Sequence, residues 1–226
     1  MITTNLSHGL KGLGRMIRRL SEGKESLLFA PTTWAFWRNN IMCFCVNNFV
    51  GHCLESFYCK VMDKCFGIID EDYAIKFDPW YHPYWVYGFG GTAMTFVFEP
   101  IKKGILRRHS SLLGAVAETY AIAVLAAMAM ELGFGLLVNR PDEHGNYPYW
   151  DNSKLPLNIF KQAWLVNDLF IGAAAVGYVW LGYPLFCKGM SKLSARAANA
   201  AFAITVCAFA AACTSSYGKL IKDGHL

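Results

Sequence analysis

Gly114-Ala115-Val116-Ala117-Glu118-Thr119-Tyr120-Ala121-Ile122-Ala123-Val124-Leu125-Ala126-Ala127-Met128-Ala129-Met130-Glu131-Leu132-Gly133-Phe134-Gly135-Leu136-Leu137-Val138 is the stretch that decides the fold. An apolar run of about 25 residues exceeds the roughly 20 that carry a helix across a bilayer. Two carboxyls interrupt it, Glu118 and Glu131. Each costs a few kcal/mol (about 3 on insertion scales) if it faces lipid, so each needs a reason. They are separated by about 20 Å along a helix and lie on different faces, so they cannot form one paired-carboxylate site. Each must find its own partner or keep its proton.

The rest of the chain repeats this pattern. Of 226 residues, 54% are hydrophobic and only 16% charged, and the charges gather in short stretches between apolar runs. Soluble domains carry about a quarter charged residues. Four more runs have the length of a span: Thr33 to Cys59, Pro83 to Glu99, Gln162 to Phe186 and Ala197 to Tyr217. The sequence therefore predicts an all-α integral membrane bundle of about five transmembrane helices. Residues 31–226 form that bundle. Residues 1–30 form a basic amphipathic segment in which Leu6, Leu10, Leu13, Ile17 and Leu20 share a face against Lys11, Arg15, Arg18 and Arg19. Such a segment reads as an N-terminal interfacial helix on an anionic leaflet. It also has the Arg-rich, acid-poor composition of an organellar transit sequence, which keeps a mitochondrial inner membrane open as the address.

With five spans, the side holding the N-terminus collects most of the lysines and arginines, including Lys102, Lys103, Arg107 and Arg108, read as a short basic loop. The positive-inside rule places that side in the cytoplasm or an organelle matrix. Glu55, Glu118, Glu131 and Asp168 fall inside spans, and no basic residue in any span is available to them. They are expected to be neutral, hydrogen-bonded or open to a cation path.

On the first span, Cys45, Asn48, His52, Glu55 and Cys59 fall on one helical stripe. The stripe must face protein or water. It reads as an interhelical hydrogen-bond seam rather than a metal or proton site, because His52 and Glu55 alone supply too few ligands. The segment Tyr87-Gly88-Phe89-Gly90-Gly91 follows no strand and carries no Lys-Ser/Thr, so it is no phosphate loop. Its glycines are expected to let two helices approach closely. The eight cysteines show no zinc-type spacing and sit mostly in apolar runs. No metal, cofactor or nucleic-acid partner is indicated.

Gly51-His52-Cys53-Leu54-Glu55, Tyr87-Gly88-Phe89-Gly90, Met130-Glu131-Leu132 with Gly135, and Trp150-Asp151-Asn152-Ser153-Lys154-Leu155-Pro156-Leu157-Asn158 together resemble the type-IV ABC-transporter permease family, also called CmpB-like. The resemblance covers roughly residues 45–185, and the Trp-Asp…Ser…Leu-Pro-Leu-Asn element is its most specific part. Asn152 stands where that family usually has Tyr. The resemblance implies a multi-pass membrane protein whose recurrent polar positions fall here on Glu55, Glu131, Trp150, Asp151, Ser153 and Asn158. It also implies that Glu131 bonds the neighbours of the Trp150–Asn158 turn. The chain has no G-x-x-x-x-G-K-[ST] motif, so any transport draws on a separate ATPase or an ion gradient.

Three functions compete. The favoured expectation is a non-catalytic accessory or structural subunit of a larger membrane complex, with the lipid bilayer and other membrane subunits as partners. A permease-like transport subunit follows closely. A lipid-acting enzyme would need His52 with Glu55, or Asp151 with Ser153, as its reacting pair, and neither has an orienting third group.

Overall fold

The computed structural model describes residues 14–15, 17–18, 28–67, 78–145, 147 and 150–225. The expected N-terminal amphipathic helix lies almost wholly outside them. Among the described residues the chain is built from long helices: α1 (Trp34–Phe66), α2 (Trp85–Arg108), α3 (Leu112–Val138), α4 (Leu165–Gly177), α5 (Tyr183–Met190) and α6 (Ala195–Lys222). A π-helical turn, Tyr178–Gly182, joins α4 to α5 in one rod. Two short strands, β1 (Asn158–Ile159) and β2 (Ala163–Trp164), pair antiparallel with Asn158 opposite Trp164.

Hydroxyl caps set where three of these helices begin. Thr33 accepts from the Phe36 N–H, Ser111 from Gly114 and Ser194 from Ala197. Each removes one of the unsatisfied amides that open a helix. Gly67 ends α1 at φ 60°, with its N–H on the Asp63 carbonyl at 2.9 Å.

Three helical rods are long and apolar enough to cross a membrane: Leu112–Val138, Leu165–Met190 and Ala195–Lys222. The expectation of about five spans is thus met in part. Helices α1 and α2 have the length, but their sequences are too polar. The first holds Arg38, Asn39, Asn40, Asn47, Asn48, His52 and Glu55. The second runs past its expected end through Glu99 and Pro100 to Arg108. Lys102 and its neighbours are therefore not a loop; they form the last turns of α2.

Lys102 itself is buried, with 1% of its surface exposed. Its Nζ donates to the Val179 carbonyl at 2.8 Å and lies 5.9 Å from the centre of the Trp180 ring. Val179 sits in the π turn, where a π-helical ladder would assign its carbonyl to residue 184. That residue is proline and has no N–H to give. The ammonium supplies the donor.

The chain packs as two units, Met1–Glu22 with Pro100–Gly182, and Gly23–Glu99 with Tyr183–Leu226. In the first, α3 and α4 form an antiparallel helical hairpin. Gly172 lets Val124 approach so closely that an added Cβ would lie 2.5 Å from its methyl. In the second, α1 packs against α2 and α6. An added Cβ at Gly51 would stand 2.0 Å from the Tyr87 ring, at Gly88 2.2 Å from Asn48, and at Gly91 1.9 Å from Asn47. Gly88 and Gly91 make room for the Asn48 and Asn47 side chains and Gly51 for the Tyr87 ring, while an added Cβ at Gly90 would meet nothing within 4 Å. Edge-to-face contacts among Phe29, Phe36 and Phe96 fill this unit's interior near the start of α1.

Candidate functional site: a carboxyl pair beneath a hairpin

Helix α3 ends at Asn139, and the chain returns to α4 through residues 140–164. This segment carries the Trp150–Asn158 motif, and its folding explains the residues. Asn139 Nδ2 donates to the Trp150 carbonyl at 2.7 Å and to Gln162 Oε1 at 2.9 Å. Trp150 Nε1 and Asn152 Nδ2 both donate to the Gln162 carbonyl at 2.8 Å. Asn158 Nδ2 closes the turn onto the Leu155 carbonyl at 2.7 Å, and Trp164 Nε1 ties β2 to the Pro156 carbonyl at 2.9 Å. Asn139 and Gln162 are 1% and 3% exposed, so these amides satisfy one another away from water. Gly135 makes room: a Cβ there would meet Gln162 at 2.5 Å.

Glu131 lies beneath this hairpin. Its Oε2 accepts the Trp164 backbone N–H at 3.1 Å, and its Oε1 accepts from Asn167 Nδ2 at 3.2 Å. Trp164 is the N-cap residue of α4 and has no side-chain cap of its own. The Glu131 carboxyl, supplied from another helix, occupies the positive end of α4, where a negative charge is favoured. Because Trp164 pairs with Asn158, Glu131 is bonded to the neighbour of the motif turn.

Asp168, in the first turn of α4, completes the site. It is fully buried, and among the described residues no N–H or O–H donor reaches either oxygen. The Glu131 carboxyl is the neighbouring acid across the α3–α4 contact. Two ionised carboxylates have only acceptors, so a hydrogen bond between them requires a proton on one. The arrangement is a pair of neighbouring carboxyl groups at a helix N-terminus, and a hydrogen bond between them would hold one proton. Each of these acids was expected to be neutral, hydrogen-bonded or open to a cation path, and their pairing was not foreseen; the hairpin brings them together. Glu131 is about 10 Å from the end of α3 and Asp168 about 5 Å from the start of α4, which puts both near the shared end of an antiparallel pair. That both lie within two turns of the same hairpin end is the sequence signal for the pair.

Glu118 is elsewhere, near the other end of α3, and it is not without a cation. Arg108 Nη2 meets its Oε1 at 2.5 Å, and His109 Nε2 meets Oε2. The expectation that no basic group was available to it is corrected. Glu118 sits in the second turn of its helix, within reach of the residues that precede the helix. Asp151 is exposed at the surface of the hairpin, and the Ser153 N–H, at 2.8 Å, holds its carboxyl below the usual carboxylate range. Ser153 and Asp151 thus share one local turn, in which the Asp151 carboxylate caps the Ser153 backbone N–H.

His52 and Glu55 belong to the other unit. The predicted stripe is buried at Cys45, Asn48, His52 and Cys59. His52 Nδ1 donates to the His82 carbonyl at 2.8 Å, and its ring stacks on Tyr84 with centroids 4.5 Å apart. His82 Nδ1 faces Ser216 Oγ at 2.6 Å, and Tyr84 Oη donates to Asp78 at 2.8 Å. Glu55 accepts from the Tyr87 hydroxyl. The stripe is a clasp of hydrogen bonds and stacked rings joining α1, the segment before α2, and α6. Burial lowers the affinity of His82 for a proton below the ordinary histidine value; Asp78 opposes this and His52 adds to it. His82 and Ser216 were not singled out from sequence, since each stands alone in its own stretch. Among the described residues no three His, Cys, Asp or Glu side chains converge as a metal site.

No curated protein and no solved structure matches this chain. One family model does, described as "Putative ABC-transporter type IV", over residues 42–217, a range that takes in the carboxyl pair, the hairpin and the clasp. The chain belongs to that CmpB family of transporter-related membrane proteins.

Proposed function

We propose that this protein is a non-catalytic, permease-like membrane component in which Glu131 and Asp168 bind and release a proton as part of transport. The observation that carries the reading is the carboxyl pair at the start of α4, with Glu131 half-buried, Asp168 fully buried and no donor upon Asp168 among the described residues. Inside a bilayer an ionisable pair of this kind marks an ion or proton pathway by default. With one proton, the pair carries a single charge, matched to the helix end. Without it, two negative charges face each other, Asp168 fully buried and Glu131 half-buried, and their repulsion pushes α3 and α4 apart. Since the Trp164 amide rests on Glu131, that strain passes directly to the hairpin. No nucleotide-binding motif occurs in the chain, so an ion gradient or a separate ATPase supplies the driving force.

The test uses the full chain in proteoliposomes. Infrared difference spectra across a pH titration should contain a protonated-carboxyl band that Asp168→Asn removes, because the asparagine amide takes over the proton's hydrogen bond. A pH gradient should drive proton movement in the parent and not in Glu131→Gln or Asp168→Asn. A band and a flux indifferent to both substitutions would overturn the reading.

A second reading, an accessory subunit of a larger membrane assembly, is supported by α6. This span buries only Ala198, Ser216 and Leu220, and its uncovered length is rich in alanine. Helices associate in lipid through such small residues. Gentle purification followed by identification of co-migrating chains tests it; a lone protein that still moves protons sinks it.

A further inference from the structure

The hairpin under which the carboxyl pair sits also has an outer face, and its residues are of the wrong kind for water. Leu157 is 66% exposed and Phe160 76% exposed. Both occupy left-handed backbone, φ 62° and 50°, and Lys161 beside them is at φ 62°. Residues with a Cβ adopt that region at a cost, and it persists only where the surroundings impose it. Here the polar groups of Asn139, Trp150, Asn152 and Gln162 turn inward and bond one another, and Asn158 bonds the Leu155 carbonyl and the Lys161 N–H, which leaves the two apolar side chains outside.

The hydrogen bonds also fix the height of this face along α3. Trp164 is level with Glu131, and Gln162 touches Gly135 and Asn139. The Leu165 N–H meets the Leu157 carbonyl at 3.4 Å. Leu157 therefore stands beside the last turns of α3, and Phe160 lies at the hairpin turn two residues from Gln162, near the end of that helix. On those turns Phe134, Leu136, Leu137 and Val138 are themselves 53–69% exposed, on a helix long and apolar enough to span a membrane. The exposed apolar side chains of the hairpin thus lie near those of that helix end, and Lys154 and Lys161 are exposed in the same segment, with stems long enough to reach headgroups.

We infer that the 150–164 hairpin is a re-entrant wedge whose Leu157 and Phe160 side chains are seated in the lipid at the acyl–headgroup boundary. The occupant of this face is lipid, because the surface it prolongs is a membrane span. The inference is independent of whether the carboxyl pair moves protons. The wedge does explain how that pair stays dry, since it closes the end of the α3–α4 hairpin from the membrane side.

The test is fluorescence quenching of the full-length protein in phosphatidylcholine vesicles whose chains carry bromine either near the glycerol end or near the methyl end. Phe160→Trp and Leu157→Trp are each compared with the parent. The added emission should be blue-shifted, quenched more by bromine near the glycerol end than near the methyl end, and insensitive to aqueous iodide. Glu143→Trp, in the exposed part of the same loop, should show the opposite pattern. Two positions are used because either tryptophan alone could disturb the turn. Added emission quenched by iodide places the face in water, and emission quenched by neither agent places it under protein; each result overturns the wedge.

Discussion

Glu131 and His52 are both polar groups in the interior of a long helix, yet they are satisfied in opposite ways. His52 has a donor for a carbonyl and a flat ring for Tyr84, and the histidine that follows in the clasp meets a serine hydroxyl. Donors and acceptors there come from the chain itself. Glu131 and Asp168 are two acceptors meeting each other, and the Trp164 and Asn167 donors serve only the first. In the proposed reading, the balance of that site comes from a proton outside the sequence. A buried group completed by its neighbours reads as structure, whereas one completed by an exchangeable proton is equipped to respond to its surroundings.

Substitutions sharpen the contrast. Glu131→Ala should have the largest effect. It leaves the Trp164 amide, Asn167 and Asp168 without their acceptor or proton partner, a loss of about 3 kcal/mol from the orphaned groups, read as an earlier denaturation midpoint in detergent. Asp168→Asn should cost far less, since an amide can donate where the proton did. If both cost the same, the pair is not a shared-proton site.

His52→Ala should follow at about 2 kcal/mol, from one buried hydrogen bond and one ring stack. Unlike the carboxyl substitutions, it should leave the pH dependence of proton movement unchanged. A shift in that dependence would erase the distinction drawn above.

The clasp has a weaker pH dependence of its own. Unfolded, His82 takes up its proton near the ordinary value of 6.5; in the fold it does so only at lower pH. Between those two values the unfolded state holds more protons, so acidification favours release. The stability His82 contributes is complete above pH 6.5 and declines as pH falls below it. Limited proteolysis after Tyr81 should accelerate on acidification in the parent, and His82→Gln should flatten the response. Smallest of all, Glu118→Gln should change stability by under about 1 kcal/mol, because its partner Arg108 is 65% exposed. A larger loss would mean that this acid too lies in a dry site.

Much of the bundle was legible because apolar length and periodicity are properties of a segment by itself. The run from Gly114 to Val138 needed no neighbour to declare a helix, nor did the stripe through Asn48 and His52. Hydroxyl caps at Ser111 and Ser194 and the glycine spacing of Tyr87-Gly88-Phe89-Gly90-Gly91 were equally local. The span count was less secure. A helix such as α1 shares its length with a membrane span but not its composition, and Lys102 passed for a loop residue because a charged side chain can be buried only when something distant receives it.

The sequence by itself determined that this chain is a helical membrane protein of the CmpB family with a few acids placed at a cost in apolar surroundings. Only the tertiary structure decided which of those acids meet. Glu118 found Arg108 and His109, while Glu131 found Asp168, because turning α3 back onto α4 sets residues far apart in the chain at one depth. Covalent spacing governs what lies on a helix face; antiparallel packing, through the Asn139–Gln162–Trp150 hydrogen bonds, governs what that face confronts.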